Sequence, residues 1–426
     1  MISFLQAQEN LRSLCALWIA QNDLRVESVN VSEAQGRFLA SPVIAALDLP
    51  RENVSAMDGY AVSPLNPEGM KKGEDYTLIG ESRAGEPYSG PALREGECVR
   101  IFTGAVVPSS AYTVVIQEDV SVPSVKTVVI NETVRIGANI RLKGEEIAAG
   151  TEIASAGQQL TPNMVPLLAS QGVGEVEVLR KLRVAFFATG DELKAPGETL
   201  NIGDIYESNL ASIQAVLGAF RLDLQNLGVV KDTPEAISAC LARAAETADV
   251  VISSGGVSVG DYDFVRKCVE SMGEVTDYKV AMKPGKPVCF GHISRVDKSH
   301  ALFLGLPGNA VSSFVVLTEL YLPALRYLMN GRTVVPNQQI TATLKENIKR
   351  RAGRLEFQRG LLSREINTSG KSIWRVSAFG GQDSHRVLGL ARANCTIQIP
   401  AEVAEIAAGT EVTVSLFPWF ESPDRG

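Results

Sequence analysis

Three polar loops of this sequence each follow an apolar run, and each has residue types that could do chemistry. The loop ATGDEL (188–193) carries the carboxylates of Asp191 and Glu192, and the other two are SSGGVSVGDYD (253–263) and LPGNAVSS (306–313). Paired carboxylates can hold a cation or orient water, and free backbone amides at a helix start can cradle an anion. Ligands of open parallel sheets bind where such loops converge, at the carboxyl ends of the strands. The sequence therefore predicts one site built from three loops.

An ordinary structural explanation exists for each loop taken alone. Gly-Gly after a strand often forms only a tight turn, and acidic residues at helix starts are common caps. Three such loops at one edge of a sheet favour a binding site over three unrelated turns. The chain has neither a Walker A loop nor a GxGxxG fingerprint, so a nucleotide cofactor of the usual kinds is not indicated.

Three lysines lie close together between the second and third loops. Lys283 and Lys286 flank Pro284-Gly285 in a rigid turn, and Lys279 lies four residues before Lys283. Solvated surface lysines are the ordinary alternative for such a cluster. A tight turn beside an anion-cradling loop is, however, where an oxyanion site needs cationic groups.

Two segments nearer the N-terminus add candidate polar groups. Asp58 lies in NVSAMDGYAV (53–62), and Thr103 ends an apolar run in IFTGAVVP (101–108). A turn explains Asp-Gly by itself, and a carboxylate presented towards a cleft is the functional alternative.

Buried strands alternate with helices between Lys181 and Met329. Continuous apolar runs predict strands that are buried on both faces, and capped segments predict the helices between them. The predicted strands are 183–189, 249–254 and 301–307, and the predicted helices are 208–220, 234–247, about 263–272, and a long helix after 307. This alternation predicts a three-layer α/β domain around a parallel sheet.

Short strands separated by turn residues flank this domain on both sides, and an amphipathic helix with Phe4, Leu11, Leu14 and Trp18 opens the chain. The predicted fold class is multidomain α/β, with the three-layer domain flanked by β-rich domains and a small C-terminal β domain. The predicted domains are an N-terminal linker and helical domain (1–44 and 145–178), an inserted β-rich domain (45–144), the α/β domain (179–329) and the C-terminal β domain (330–426).

Composition excludes several functional classes. The 426 residues include 41 Lys plus Arg against 48 Asp plus Glu, and the net charge of -7 argues against a general nucleic-acid binder. The six cysteines form no CxxC pair, so a zinc site or a disulfide framework is not expected. No uninterrupted apolar stretch reaches the roughly 18 to 20 residues of a membrane span, and the N-terminus does not read as a signal peptide. We expect a cytoplasmic protein with reduced thiols.

The segments described above, taken in order, resemble the molybdopterin molybdotransferase family, which includes MoeA of bacteria and the E-domain of gephyrin. The similar stretches are SAMDGYAV, RIFTGAVVP, VIQEDV, GANIRLKGEE, ATGDEL, GDIYESN, SSGGVSVGDYD, KPGKP, LPGN and GGQDSH, within residues 53 to 385. The resemblance implies an enzyme that hydrolyses adenylylated molybdopterin with Mg²⁺ present and inserts molybdate at the dithiolene. It also implies a homodimer, with the molybdopterin adenylyltransferase as a possible transient partner and neither nucleic acid nor membrane as a partner.

The same resemblance assigns roles to residues of this chain. It implies catalytic roles for Asp58, Thr103, Glu192, Asp232, Asp263, Lys279 and Lys283. Binding of the pterin substrate falls to Gly190, Asp191, Ser254, Gly255, Gly256, Ser258, Gly260, Pro307, Gly308 and Asn309. Molybdate is expected to bind Lys283, Lys286, Arg359 and Ser384, and Mg²⁺ is expected to bind Glu192, Asp261 and Asp263.

Two positions depart from the family's pattern. Glu146 stands where the family commonly has aspartate, and Ala310 stands where it usually has a second proline. Neither change removes a charge, and losing the proline frees one backbone dihedral. Two alternatives stay open: a molybdopterin adenylyltransferase-like enzyme, and a scaffold of the same fold with reduced catalysis.

Overall fold

The computed structural model describes residues 1–22, 26–256, 264–366 and 370–420. The chain forms two compact units, one of residues 1–40, 157–161 and 176–426 and the other of residues 41–156 and 162–175. The multidomain α/β fold class is confirmed, because a three-layer α/β domain and a small β barrel occur in the first unit and a β-rich sheet in the second. The four predicted domain boundaries stay a prediction.

The α/β domain is built on a sheet with six strands in the described residues. In spatial order they are Asp223–Val230, Arg183–Thr189, Val250–Ser254, His300–Leu306, Pro287–Ser294 and Gly273–Lys279. The first four run parallel, whereas the last two are antiparallel to their neighbours. The prediction of a parallel sheet was therefore wrong for the last two strands. Their connections, 280–286 and 295–299, are too short for the crossover that parallel pairing needs.

Helices cover both faces of this sheet, as predicted for three layers. Along Arg183–Thr189, alternate residues belong to two separate buried clusters, which is the two-residue period of a strand. Val184 and Phe186 pack with the helices Phe4–Gln21, Asn209–Gly218 and Ala310–Asn330. Ala185 and Phe187 pack with the helices Pro234–Thr247 and Phe264–Met272.

The third α/β loop leads into a long apolar helix. It comprises Ala310–Val315, a π-helical stretch Val316–Tyr321 and Leu322–Asn330. Its length and composition would suffice to cross a membrane, but 89% of its most apolar window is buried inside the protein. The core of the α/β domain therefore accounts for its apolar character.

A barrel-like sheet forms the C-terminal part of the same unit. Its order is Met282–Lys283, Leu355–Ile366, Ser372–Ala378, Gln339–Leu344, Glu411–Leu416 and Cys395–Ile399, and Leu355–Ile366 also pairs with Cys395–Ile399, which closes it. The short strand Met282–Lys283 comes from the lysine turn and pairs with Leu355 and Glu356. Further described elements are the helix Val387–Ala391 and the strands Val26–Asn30, Glu175–Leu179, Leu193–Lys194, Ile205–Tyr206, Ile348–Lys349 and Glu405–Ile406.

The second unit has its own sheet and its own apolar core. The sheet order is Thr113–Ile116, Gly59–Val62, Glu97–Ile101, Asp75–Ser82, Thr127–Ile130 and Val120–Ser124. Smaller described elements are the strands Val43–Ile44, Val54–Ser55, Ile140–Arg141 and Glu152–Ala154, the helix Val165–Ser170, and the 3₁₀ turns Gln117–Asp119 and Pro162–Met164.

A buried carboxylate joins three strand ends of the α/β domain. Asp249 is 1% exposed and accepts hydrogen bonds from the Arg180 guanidinium at 2.6 and 2.9 Å and from the Arg183 N–H at 2.9 Å. The Arg295 guanidinium lies 3.9 Å away. Burial alone would raise the pKa of Asp249, but the hydrogen bonds from Arg180 and Arg183 outweigh burial and hold this pKa below its usual value.

We expect Asp249→Asn to lower the free energy of unfolding at pH 7 by about 2–3 kcal/mol, because the arginines lose their buried counter-ion. The lowered pKa means that the contribution of Asp249 is present above the unfolded-state pKa of about 4 and is lost as the pH falls through the folded-state pKa. Urea unfolding between pH 7 and pH 3 measures this, with exposed Asp75→Asn as control. A difference between wild type and variant that does not shrink in acid would contradict the assignment.

Candidate functional site

The three predicted loops line one cavity of about 630 Å³. The carboxyl ends of the parallel strands Arg183–Thr189, Val250–Ser254 and His300–Leu306 bring them together. The predicted site residues on its wall are Gly190, Glu192, Asp232, Ser254, Gly255, Gly256, Pro307, Gly308 and Asn309. Ser258, Gly260, Asp261 and Asp263 lie outside the described residues.

Two glycines let the second loop turn tightly against the first strand. Gly255 and Gly256 have φ values of +88° and +66°, which L side chains rarely adopt. A Cβ on Gly255 would lie 2.8 Å from the Thr189 carbonyl oxygen, and one on Gly256 would lie 2.4 Å from Cγ2 of Val265. The glycine pair is therefore required by both conformation and space, and it leaves backbone exposed to the cavity.

Asn209 holds the second and third loops together, although it is not among the site residues predicted from the sequence. Its side-chain amide donates to the Ser254 Oγ and to the Gly308 carbonyl oxygen, each at 2.8 Å. Its Oδ1 is buried without a hydrogen-bond partner in the described structure, and the residue lines the cavity. Glu207 fixes the start of this helix, because its Oε1 accepts from the N–H groups of Asn209 and Leu210 at 2.6 and 2.9 Å. The sequence signal was the pair of polar residues ahead of an apolar helix, within GDIYESN.

Acidic residues collect at the first loop. Thr189 donates from Oγ1 to the Asp232 carboxylate at 2.9 Å, and the N–H of Asp232 donates to the Asp191 carboxylate at 3.4 Å. Glu192 and Asp232 line the cavity. Asp191 does not line it, and its carboxylate accepts the hydrogen bond from the Asp232 N–H. The predicted carboxylates Glu192 and Asp232 thus reach the same cavity from different loops.

The lysine turn lies between the α/β sheet and the barrel. Lys283 forms an ion pair with Glu356, Nζ to Oε1 3.0 Å, and Glu356 is only 2% exposed. Arg350 reaches the other Glu356 oxygen at 3.3 Å. The side chains of Lys279 and Lys286 are exposed on either side of the turn. The turn borders the cavity, because Pro287 lines it directly after Lys286.

Arg359 organises the loop that carries Ser384. The arginine is 1% exposed, and its backbone N–H and Nε both donate to Oε1 of Gln382, at 3.0 and 3.1 Å. Its Nη1 and Nη2 donate to three backbone carbonyls within 381–386. His385, next to Ser384, lines the cavity. A contact between Arg359 and molybdate stays a prediction. Most N–H groups of Arg359 already donate hydrogen bonds to this loop.

Gly285 lets the lysine turn approach the long helix. Its φ is +96°, and an added Cβ would lie 2.4 Å from Cγ2 of Val316. We expect Gly285→Ala to lower the free energy of unfolding by about 2–4 kcal/mol, through backbone strain and a clash in a packed interior. Thermal unfolding measures this. Gly218→Ala is the matched control because an added Cβ there meets no atom within 4 Å, and equal effects of the two changes would exclude a special fit at Gly285.

Asp58 and Thr103 come together in the second unit. Asp58 Oδ1 accepts from the Thr103 N–H at 2.7 Å and from its Oγ1 at 2.8 Å. These hydrogen bonds, and then the charge of Arg100, hold the pKa of Asp58 below its usual value. The Arg100 guanidinium stacks between Tyr60 and Phe102, at 4.9 and 5.1 Å from the ring centroids. The two predicted residues therefore form one hydrogen-bonded pair, in which Asp58 is ionised and partly exposed.

Family models of known proteins match three successive regions that together make up most of the chain. Family models match residues 2–172 as the MoeA N-terminal region (domain I and II), 185–327 as a probable molybdopterin binding domain, and 341–417 as the MoeA C-terminal region (domain IV). A molybdopterin molybdenumtransferase of Haemophilus influenzae is 35% identical over 393 residues, covering 92% of this chain and 94% of the relative. The chain belongs to the molybdopterin molybdenumtransferase family.

Further relatives of this family of enzymes support the assignment. Molybdopterin molybdenumtransferase 2 of Mycobacterium tuberculosis is 34% identical, covering 91% of this chain and 94% of the relative. The crystal structure of a molybdopterin biosynthesis MoeA protein from Pyrococcus horikoshii has a TM-score of 0.81 at 27% identity, covering 99% of this chain and all of that one. The predicted family and fold class are confirmed, whereas the individual roles of the site residues stay predictions.

Proposed function

We propose that this enzyme hydrolyses adenylylated molybdopterin with Mg²⁺ present and inserts molybdate at the dithiolene, releasing AMP and the molybdenum cofactor. The observation that supports the proposal is the cavity where the three α/β loops meet, because it combines helix starts, backbone amides and two carboxylates. Anionic groups bind favourably at helix starts. We also propose that the enzyme works as a cytoplasmic homodimer, with the adenylyltransferase as a transient partner.

Molybdate needs cationic and hydroxyl donors, because it is a tetrahedral dianion. The exposed Lys286 and the loop of Ser384 adjoin the cavity through Pro287 and His385. Lys283 lies on the same turn. Molybdate held there would lie at the border of the cavity of the three loops. A pterin bound in that cavity could then accept molybdate at its dithiolene.

The chemistry of the donor set suits Mg²⁺, which usually takes one or two carboxylates together with substrate phosphates and water. No group of three His, Cys, Asp or Glu side chains that could hold a metal occurs within the described residues. Two carboxylates, Glu192 and Asp232, nevertheless line the cavity and would hold the ion with a substrate phosphate. When bound, Mg²⁺ would neutralise charge on the phosphate oxygens. Asp261 and Asp263 remain predicted contributors outside the described residues.

The deciding experiment is an in vitro assay of the purified full chain with adenylylated molybdopterin, Mg²⁺ and molybdate. AMP release and active cofactor are followed together, with and without molybdate. Molybdate-dependent formation of both products supports the proposal. AMP release without cofactor would indicate a hydrolase, and the absence of both from a folded protein would favour the scaffold alternative.

A further inference from the structure

A second cavity, of about 470 Å³, lies in the larger unit between the end of the helix Leu322–Asn330 and the C-terminal segment 416–420. It shares no lining residue with the cavity of the three loops. One part of its wall is apolar and includes the rings of Phe38, Phe220 and Phe417, whereas Gln159, Asn330, Thr333 and Gln338 line the rest together with Arg326. We refer to it as the aromatic cavity. Its apolar walls are complementary to an apolar ligand body.

The charged group in the lining of the aromatic cavity is the guanidinium of Arg326. It stacks over the Phe220 ring at 5.1 Å from the centroid. Only its Nη1 has hydrogen-bond partners in the described structure, the carbonyl oxygen of Pro336 at 3.4 Å and Oδ1 of Asn337 at 3.2 Å. Within the described parts of the chain it has no carboxylate partner at ion-pair distance. Burial lowers the pKa of Arg326, which reflects a cation taken partly out of water without an anion beside it.

A partly buried cation without a counter-ion favours binding of an anion, because pairing offsets the loss of hydration. Nε and Nη2 remain available as donors along one edge of the planar guanidinium, which is the geometry that a carboxylate accepts in a bidentate manner. One cation in the lining suits a monoanion, since a dianion would retain an unpaired charge. We propose that the aromatic cavity binds a small carboxylate with an aromatic or branched apolar body.

A bound carboxylate would also strengthen the link between the α/β helix and the barrel. The Asn337 side chain, which accepts from Arg326, donates to Glu319 at 3.3 Å. Glu319 is buried and accepts from Oγ1 of Thr396 on the barrel at 2.6 Å. A ligand that fixes Arg326 therefore fixes the first member of a chain of hydrogen bonds to the barrel. Because such a ligand binds only the folded state, it raises the unfolding temperature.

The test compares two probes of almost identical shape, 2-naphthoate and its neutral amide 2-naphthamide, by isothermal titration calorimetry on the full chain. We expect naphthoate to bind at least about tenfold more tightly than naphthamide, since only the acid forms charged hydrogen bonds with Arg326. Naphthoate should also raise the unfolding temperature. Equal affinities of the two probes, or no binding of either, would overturn the proposal without any variant being made.

Variants then locate the binding. Arg326→Met keeps the apolar stem over Phe220 and should weaken naphthoate about tenfold while leaving naphthamide within twofold. Arg351→Met is the matched control: it removes the same charge from an exposed residue outside the lining, and it should change neither affinity. If Arg326→Met does not fold, Arg326→Lys keeps the charge without the fork and should weaken naphthoate binding by less. Unchanged naphthoate affinity in a folded Arg326 variant would overturn the proposal, whatever the cofactor assay shows.

Discussion

Replacing Asp58 by alanine should lower the kcat/KM of cofactor formation by about a hundredfold or more, the range of a lost acid or base. The carboxylate is ionised and partly exposed, and both its hydrogen bonds in the described structure come from Thr103. The variant should therefore fold, since no buried group loses a partner. The measurement is the rate of active cofactor formation, with circular dichroism and thermal unfolding recorded on the same sample.

Two further variants make the result specific to Asp58. Thr103→Ala removes the hydroxyl donor but keeps the backbone N–H that donates to Asp58 at 2.7 Å, so its effect should be smaller than that of Asp58→Ala. Glu95→Ala removes an exposed carboxylate elsewhere in the same unit and should leave the rate unchanged. A fully active Asp58→Ala variant would exclude Asp58 from the chemistry.

Local patterns predicted most elements of the α/β domain correctly. The apolar runs at 183–189, 249–254 and 301–307 correspond to the strands Arg183–Thr189, Val250–Ser254 and His300–Leu306. Three strands of the sheet were missed, because polar, charged or glycine residues interrupt their apolar patterns: Asp223–Val230, Gly273–Lys279 and Pro287–Ser294. The pairing of Lys283 with Glu356 joins positions far apart in the chain, and no local pattern encodes it.

For the candidate site, the convergence of the loops was predictable from the sequence, whereas the hydrogen-bond partners of individual side chains were not. The three loops converge as predicted, because strand direction alone places them at one edge. The role of Asn209 depends on Ser254 and Gly308, which are 45 and 99 residues away in sequence. Similarly, the guanidinium of Arg359 has the donors that an anion requires, but its observed hydrogen bonds are donated to backbone carbonyls of the loop 381–386. Residue type and spacing identify candidate site residues, whereas the folded structure determines which hydrogen-bond partners each of them has.

Lys283→Met should raise the molybdate concentration for half-maximal cofactor formation by about tenfold, because the turn loses one of its cations. It should also lower the free energy of unfolding by about 1–2 kcal/mol. Glu356 is 2% exposed, and among the described residues it would keep Arg350 alone as a cationic partner. Lys283 is itself partly exposed, which limits the loss. The measurements are cofactor formation as a function of molybdate and urea unfolding of each variant.

The double variant Lys283→Met/Glu356→Gln separates an anion-binding role of Lys283 from a structural one. If Lys283 serves only to neutralise Glu356, removing both charges restores the normal molybdate dependence. If Lys283 binds the anion, the double variant keeps the raised molybdate requirement, and this is the result we expect. Stability does not separate the two roles, because Glu356→Gln also removes the carboxylate partner of the buried Arg350. Lys72→Met is the control, since it breaks an ion pair with Glu132 in which both side chains are exposed. A normal molybdate dependence in Lys283→Met would show that this lysine only balances a buried carboxylate.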